Sequence, residues 1–264
     1  MKKNSNNLIG GKKMTNNNLR LYNEFKKIKN MGWIESKRKG PSGIGYTFET
    51  LLNKKEDNIS EPDYRGIEIK TIRLFSRQKI HLINAIPNGD MLYPTKNIVE
   101  KIGYPDKKNP EYKVFNMTFN AKEYTNIGYY KKGIIEVDEK NKKIRFIVKN
   151  DKNEILDLPI SWNYDYLKEK IKNKLNKLAI IYTYSKEEQD KEYFYYKSIH
   201  FYKFNSFEKF IQMIKEGNIE ITFKISIIRE GEKKGLIKDR GTDFSIKKDK
   251  INLLFDEINI FEKK

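Results

Sequence analysis

The sequence predicts a mixed α/β (α+β) fold, with helices flanking a central mixed sheet. Some segments repeat apolar residues every three or four positions, as helices do, and others repeat them every second position, as strands do. The two patterns do not alternate in a regular strand–helix–strand order, which argues against a sheet of repeated parallel units. A chain of 264 residues with 38% hydrophobic residues is also long enough to bury a sizeable core.

The first elements follow a polar N-terminal segment. Residues 1–18 are rich in Asn and Lys and have no apolar period, so we expect a disordered basic arm there. Apolar residues at helical spacing over 21–28 predict a helix that ends at Gly32. The glycine-rich turn at 40–45 then opens a short helix through Leu52.

The rest of the chain mixes both patterns. In chain order we expect strands at 64–73 and 79–86, a helix at 94–102, a strand at 112–119, a hairpin at 134–148, a helix capped by Ser161, strands at 178–184 and 193–204, a helix at 206–217 and a strand at 219–229. A Gly-containing loop at 239–244 and a final helix around 253–258 are expected after these elements.

Composition limits the classes of partner and chemistry. The net charge of +18 repels itself unless it faces an anion, and a nucleic-acid backbone is a common partner of such proteins. A lysine bias inherited from an AT-rich genome gives the same charge, so composition leaves both explanations open. The chain has no Cys, which excludes disulfides and Cys-ligated metals. It also lacks a bilayer-spanning apolar run and a signal peptide, so we expect a soluble cytoplasmic protein.

The segment with the clearest chemistry runs from Pro62 to Lys70. On a strand, Glu68 and Lys70 point to the same face, and Asp63 lies just before the strand, where it can bend back toward Glu68. Two converging carboxylates form a site for a hard divalent cation such as Mg²⁺. An adjacent ammonium group can activate the attacking water or stabilise the charge of the transition state. This is the arrangement of PD-(D/E)xK nucleases, with Asp63 and Glu68 as metal ligands.

The same spacing occurs a second time, from Asp106 to Lys113. There Pro110 directly precedes Glu111, and the surrounding Lys- and Asn-rich residues predict a loop. The first copy lies instead in a strand of alternating isoleucines, with Gly66 permitting a bend. We therefore favour the first copy as the catalytic one.

Glu49 is a candidate fourth member of the site. It lies one turn into the short helix after Gly43-Ile44-Gly45, from which it can ligate the metal or orient Lys70. The alternative is a solvated surface carboxylate beside a structural turn. A phosphate-binding P-loop is excluded because no Gly-Lys-Ser/Thr follows the glycines.

Residues 43–52 and 62–70 resemble the MvaI/BcnI restriction endonuclease family, which is related to the mismatch-repair nickase MutH. The later order of elements is similar too, so the resemblance runs from about Trp33 to Phe261 and is weakest in the middle third. Arg240 stands in the late motif where the family pattern has a histidine, which leaves the base specificity open. The resemblance assigns the catalytic set to Glu49, Asp63, Glu68 and Lys70.

The resemblance also implies a restriction-endonuclease-like fold and a type II activity. A monomer would clamp double-stranded DNA in a cleft between a catalytic lobe at 19–205 and a recognition lobe at 206–264, with 95–175 belonging to either lobe. It would need Mg²⁺, nick one strand at a time at a short specific sequence, and leave 5′-phosphate and 3′-hydroxyl ends. A DNA methyltransferase encoded nearby is the implied functional partner.

Six further residues are candidate DNA contacts. Arginine reads guanine well because its fork matches O6 and N7, and arginines past the catalytic strand suit phosphate contacts. Each candidate has a structural alternative, such as an ion pair with a surface carboxylate. The candidates are Arg73, Arg77, His81, Arg229, Arg240 and Asp243.

Two other functions stay open at this point. A MutH-like repair nickase would share the catalytic residues but need an activating partner. A non-catalytic nucleic-acid-binding protein would show salt-sensitive binding without Mg²⁺-dependent cleavage.

Overall fold

The computed structural model describes residues 16–53, 62–89 and 93–260, and these form an α+β fold. No helix in those ranges combines the length and apolar character needed to cross a membrane. The elements are α1 (Asn16–Asn30), β1 (Ile34–Glu35), α2 (Gly43–Leu51), β2 (Glu68–Arg73), β3 (Lys79–Asn84), α3 (Pro94–Ile102), β4 (Tyr104–Pro105), β5 (Lys113–Phe119), β6 (Thr125–Ile127), β7 (Lys131–Asp138), β8 (Lys143–Asn150), β9 (Ser161–Asn163), α4 (Tyr164–Lys174), β10 (Lys177–Glu188), β11 (Lys191–Phe204), α5 (Phe207–Lys215), β12 (Ile219–Ile227), β13 (Ile237–Lys247), a 3₁₀-helix (Lys248–Leu253) and β14 (Phe255–Ile258).

The first sheet has the order β1-β11-β10-β2, with β14 also paired to β11. Strands β2 and β10 run parallel, whereas the other pairs are antiparallel, so the predicted mixed sheet is confirmed. One face of this sheet is covered by α1 and α2. Phe25 from α1 and Phe48 from α2 pack there against Ile69 of β2 and its neighbours.

Alternation along β2 sends its residues to two different cores. Ile67 and Ile69 join the core beneath α1 and α2, whereas Ile72 joins the larger core on the opposite side. Glu68 lies directly beside Leu178 of β10, which also belongs to the larger core. The carboxylate of Glu68 is therefore on the face away from α2.

Two more sheets build the larger core. One has the order β3-β13-β12-β5-β4, and the other has the order β6-β7-β8-β9. Aromatic rings fill this core, and Phe223 packs against Phe115, Phe146 and Trp162 at centroid distances of 5.2, 5.0 and 5.9 Å. The indole nitrogen of Trp162 donates to the carbonyl of Ala85 at 2.7 Å, so the buried polar atom is satisfied.

The first two sheets each combine strands from both predicted lobes. Strand β3 pairs with β13, although β3 lies in the predicted catalytic lobe and β13 in the predicted recognition lobe. Conversely, β14 near the end of the chain pairs with β11 of the first sheet. The sheets thus cross the expected boundary at residue 205, and the division into lobes stays a prediction.

The structure corrects several predicted elements. The predicted final helix around 253–258 is wrong, because the 3₁₀-helix ends at Leu253 and β14 follows it. A short apolar run such as this one does not distinguish a strand from a helix. The expected loop at 239–244 lies inside β13. Ser161 belongs to β9, and α4 starts after Asn163. Of the predicted arm, residues 16–18 already belong to α1, and residues 1–15 lie outside the described residues.

Candidate active site

A tight turn brings Asp63 beside β2. The backbones of Tyr64 and Ile67 exchange two hydrogen bonds of 2.9 and 2.8 Å across this turn. Arg65 and Gly66 between them have φ of 47° and 83°, as a two-residue type I′ turn requires, and glycine adopts such values without strain. The reversed chain lets Asp63 Oδ2 accept a hydrogen bond of 2.9 Å from the backbone nitrogen of Ile69.

Glu68 is the most deeply buried of the predicted catalytic residues, at 1% exposure. Its Oε1 accepts a hydrogen bond of 2.5 Å from Lys70 Nζ, as expected for two residues on the same strand face. Lys174, the last residue of α4, places its own Nζ 3.5 Å from the same oxygen. The carboxylate therefore lies between two ammonium groups, one of which the sequence did not single out.

Glu68 is influenced by the charges of three neighbouring side chains. Burial raises the pKa of Glu68 above its ordinary value, Lys70 and Lys174 oppose this shift, and the charge of Asp63 adds to it. Both carboxylates thus belong to one charge cluster with the two lysines.

One oxygen of Glu68 lacks a partner within the described part of the chain. Glu68 Oε2 is buried there without a hydrogen bond, which is a costly state for a carboxylate oxygen. No group of three or more acidic, His or Cys side chains that could hold a metal occurs in the described ranges. A site of two carboxylates still fits Mg²⁺, because this ion takes its other ligands from water and phosphate.

Glu49 lies on α2, which packs closely on β2. A methyl group added at Gly45 would lie 3.4 Å from Thr71 Oγ1 and 3.7 Å from Glu49 Oε1. The carboxylate of Glu49 is therefore near Thr71, which alternates to the sheet face opposite Glu68 and Lys70. The catalytic role of Glu49 stays a prediction, whereas Asp63, Glu68 and Lys70 are brought together.

His81 joins the cluster from the second sheet. Its Nδ1 contacts Asp243 Oδ1, and Lys224 Nζ lies 2.9 Å from Asp243 Oδ2. Burial lowers the pKa of His81 to about 3, and the ammonium groups of Lys70, Lys224 and Lys174 add to this shift. The neutral ring donates its Nδ1–H to Asp243. His81 and Asp243 are thus held together where the charges of Lys70 and Lys174 act on the imidazole.

Comparison with known proteins identifies the family. The model of the MvaI/BcnI restriction endonuclease family matches residues 22–255, which is most of the chain. The chain belongs to that family. A search of curated proteins finds no match.

Two solved structures of the restriction endonuclease MvaI resemble this family member. A complex of MvaI with its cognate DNA substrate is 28% identical, with a TM-score of 0.86 over 93% of this chain and 98% of that chain. MvaI in the absence of DNA is 27% identical, with a TM-score of 0.60 over 94% of this chain and 99% of that chain. The restriction-endonuclease-like fold is confirmed, and family membership makes this chain a site-specific DNA endonuclease.

Arg240 lies in an irregular part of β13 near the His81–Asp243 pair. Arg240 and Gly241 stand opposite the single residue Lys224 of β12, which forms a β-bulge. Gly241 has φ of 79°, and an added Cβ would lie 2.7 Å from the side-chain oxygen of Asn84. Arg240 is exposed. Burial lowers the pKa of Lys224, and the charge of Arg240 adds to this shift. The bulge thus places the exposed guanidinium of Arg240 near Lys224, which contacts Asp243.

The other predicted DNA contacts have different surroundings. Arg73 donates through Nε and Nη2 to Glu192 Oε1, at 3.0 and 2.6 Å. Arg229 donates similarly to the buried carboxylate of Asp106, at 3.3 and 2.7 Å. Arg77 is exposed. The ion pairs give Arg73 and Arg229 a structural role, so their contacts with DNA stay predictions.

The sequence did not place Lys174 or Lys224 at the active site. Both are single lysines in a lysine-rich chain, and each acquires its partner only when distant segments meet. The alternation of β12 offered a weak signal for Lys224, because its position faces away from the buried isoleucines of that strand.

Proposed function

We propose that this family member is a type II restriction endonuclease that hydrolyses double-stranded DNA at a short specific sequence with Mg²⁺. The observation that carries the proposal is the buried carboxylate of Glu68. It keeps one oxygen without a partner in the described chain, while Lys70 holds the other and the charge of Asp63 acts on it. A buried carboxylate in this state suits a cation that arrives with the substrate.

Asp63 and Glu68 would hold the cation, and Lys70 would complete the catalytic set with Glu49 in support. When bound, Mg²⁺ supplies activation of water and neutralises charge on the phosphate. Lys70 orients the carboxylate of Glu68 and places a positive charge where the transition state accumulates negative charge. The Asp63 carboxylate is held by its hydrogen bond from the backbone of β2, which fixes the orientation of this ligand.

DNA binding is supported by the charge and by the structural match. The net charge of +18 suits a phosphate backbone, and the TM-score is higher with the MvaI–DNA complex than with MvaI without DNA. We propose that a monomer clamps DNA in a cleft between the catalytic and recognition lobes and nicks one strand at a time. The products would carry 5′-phosphate and 3′-hydroxyl ends.

We propose that residues near Lys70 and Lys174 recognise the DNA sequence. We propose that His81, Asp243 and Arg240 face the bases, and that Arg77 contacts the backbone. Arg73 and Arg229 contribute by holding their segments through Glu192 and Asp106. A methyltransferase encoded nearby would protect the host DNA from the enzyme.

Plasmid cleavage tests the proposal. Purified protein with Mg²⁺ is expected to give discrete fragments, and EDTA is expected to stop the reaction. Asp63→Ala and Lys70→Ala should abolish cleavage while circular dichroism shows a folded protein. Wild-type rates in both variants would exclude this active site. A plasmid that is nicked and never linearised would indicate a MutH-like nickase, and salt-sensitive binding without any cleavage would indicate a non-catalytic binding protein.

A further inference from the structure

The described chain contains a second lysine at the catalytic carboxylate. Lys174 ends α4, and its Nζ lies 3.5 Å from Glu68 Oε1, the oxygen that also accepts from Lys70 at 2.5 Å. The Lys174 side chain is 29% exposed and that of Lys70 is 19% exposed, whereas Glu68 is 1% exposed. Both lysines are therefore partly exposed to solvent, whereas the acid that they contact is buried.

The fold fixes Lys174 at this position. Leu167 and Ile171 anchor α4 in the larger core, so the last turn of the helix has a defined place. The chain then enters β10, where Leu178 pairs directly with Glu68 of the parallel strand β2. Lys174 therefore precedes Leu178, the neighbour of Glu68, by four residues. The end of α4 is thus held next to the carboxylate of Glu68.

The two lysines act on the same oxygen of Glu68. With both ammonium groups at Oε1, rotation of the carboxylate is restricted, and Oε2 is left without a partner among the described residues. A carboxylate fixed in this way presents one defined oxygen to an incoming cation. Neighbours of a metal ligand that fix its orientation commonly have large effects on activity.

The other lysines of α4 have different surroundings. Lys168 lies 3.8 Å from Asp165 and packs over Phe207, and Lys170 packs over Tyr166. Lys172 is exposed on the same helix, two residues from Lys174. Only Lys174 of these four contacts Glu68 within the described chain. Lys172 therefore serves as a matched control of the same charge and the same helix.

We propose that Lys174 is a positioning residue that, together with Lys70, orients the carboxylate of Glu68 for the divalent cation. The effect of Lys174 on catalysis rests on the proposed nuclease function. The contact itself can be tested in the absence of any metal.

The first experiment measures coupling between Lys174 and Glu68 in EDTA. The melting temperature is measured for wild type, Lys174→Met, Glu68→Gln and the double variant, with Lys172→Met as the control. We expect Lys174→Met to lower the melting temperature by about 2–4 °C in the wild-type background and by less than about 1 °C in the Glu68→Gln background. Equal shifts in both backgrounds would show that the two side chains are not coupled, and the proposal would be wrong.

The second experiment measures steady-state cleavage of a DNA substrate with Mg²⁺. Lys174→Met is expected to lower kcat roughly 10–100-fold and to change KM for DNA by less than about twofold, because the residue acts through Glu68. Lys174→Arg should restore most of the rate, since its guanidinium can also bind Oε1. Lys172→Met should cleave at the wild-type rate.

The outcomes separate the two proposals. If wild type cleaves DNA and Lys174→Met matches it, the role of Lys174 is rejected while the nuclease function stands. A rise in KM with unchanged kcat would assign Lys174 to DNA binding and would also overturn the proposal. If wild type does not cleave, the proposed function fails, and the coupling in EDTA still decides whether Lys174 holds Glu68.

Discussion

The segments 63–70 and 106–113 have the same spacing of Asp, Glu and Lys, but their side chains have different partners. In the first, a turn brings Asp63 beside β2, and Glu68 is buried with one oxygen lacking a described partner. In the second, Asp106 is 3% exposed and is satisfied by Arg229 and by the backbone nitrogens of 108 and 109. A buried acid with all its bonds made stabilises the fold, whereas a buried acid with an open oxygen suits a ligand.

The remaining members of the second segment face solvent. The side chain of Glu111 is 55% exposed and lies 3.8 Å from Lys234, and Lys113 donates to the carbonyl of Glu100 at 3.2 Å. The three side chains of this segment thus diverge, because Asp106 directly follows the short strand β4 and Glu111 precedes β5. Identical spacing therefore produces a cluster only where the turn and the strand bring the carboxylates together.

The largest expected difference between the two segments is in the rate of DNA cleavage. Glu68→Gln removes a proposed metal ligand and should lower the rate of plasmid cleavage by about 10²-fold or more. Glu111→Gln makes the same chemical change at the matching position of the second segment and should leave the rate within about twofold of wild type. A comparable loss of cleavage in both variants would show that the comparison between the segments is wrong.

Much of the first segment could be predicted from the sequence. Gly66 indicated the bend, and the alternating isoleucines placed Glu68 and Lys70 on one face, because both features depend on residues close in the chain. Lys174 could not be predicted, since it is one of five lysines at 168, 170, 172, 174 and 177, and its contact depends on how β10 pairs with β2. The contact of His81 with Asp243 joins residues 162 positions apart and was not predicted either.

Some ion pairs and one irregular strand were not predicted, for the same reason. Arg73 and Arg229 are candidates for DNA contact from their residue type and their place in the chain, but their ion pairs with Glu192 and Asp106 form only in the folded chain. The expected loop at 239–244 is a bulged strand, because Gly241 permits a positive φ within β13. Local patterns therefore predicted the strands better than the partners of their charged side chains.

In a measurement of stability, the second segment should be the more sensitive of the two. Asp106→Asn removes the carboxylate from Arg229 and should lower the melting temperature by several degrees, because a guanidinium loses its buried partner. Asp63→Asn should change the melting temperature less, although it should abolish cleavage. Thermal melts with a cleavage assay on the same preparations check both statements, and a larger loss of stability in Asp63→Asn would contradict them.

The pH dependence of stability should follow Asp106. The hydrogen bond from Arg229, helped by backbone donors, lowers the pKa of Asp106 from 3.8 to about 2. Because the folded pKa is depressed, the stabilisation is fully present above about pH 4 and is lost as the pH falls toward 2. The difference in melting temperature between wild type and Asp106→Asn should therefore narrow across this range. A constant difference from pH 5 to pH 2 would contradict the assignment.

The smallest effect is expected at Lys113, the counterpart of Lys70. Its ammonium group makes one exposed hydrogen bond with a backbone carbonyl, which contributes at most about 1 kcal/mol because water replaces it readily. Lys113→Met should shift the melting temperature by less than about 4 °C and leave cleavage unchanged, whereas Lys70→Met should abolish cleavage. Both lysines follow their glutamate by two residues, so a rate loss in Lys113→Met would mean that burial and convergence of the carboxylates do not determine which segment is catalytic.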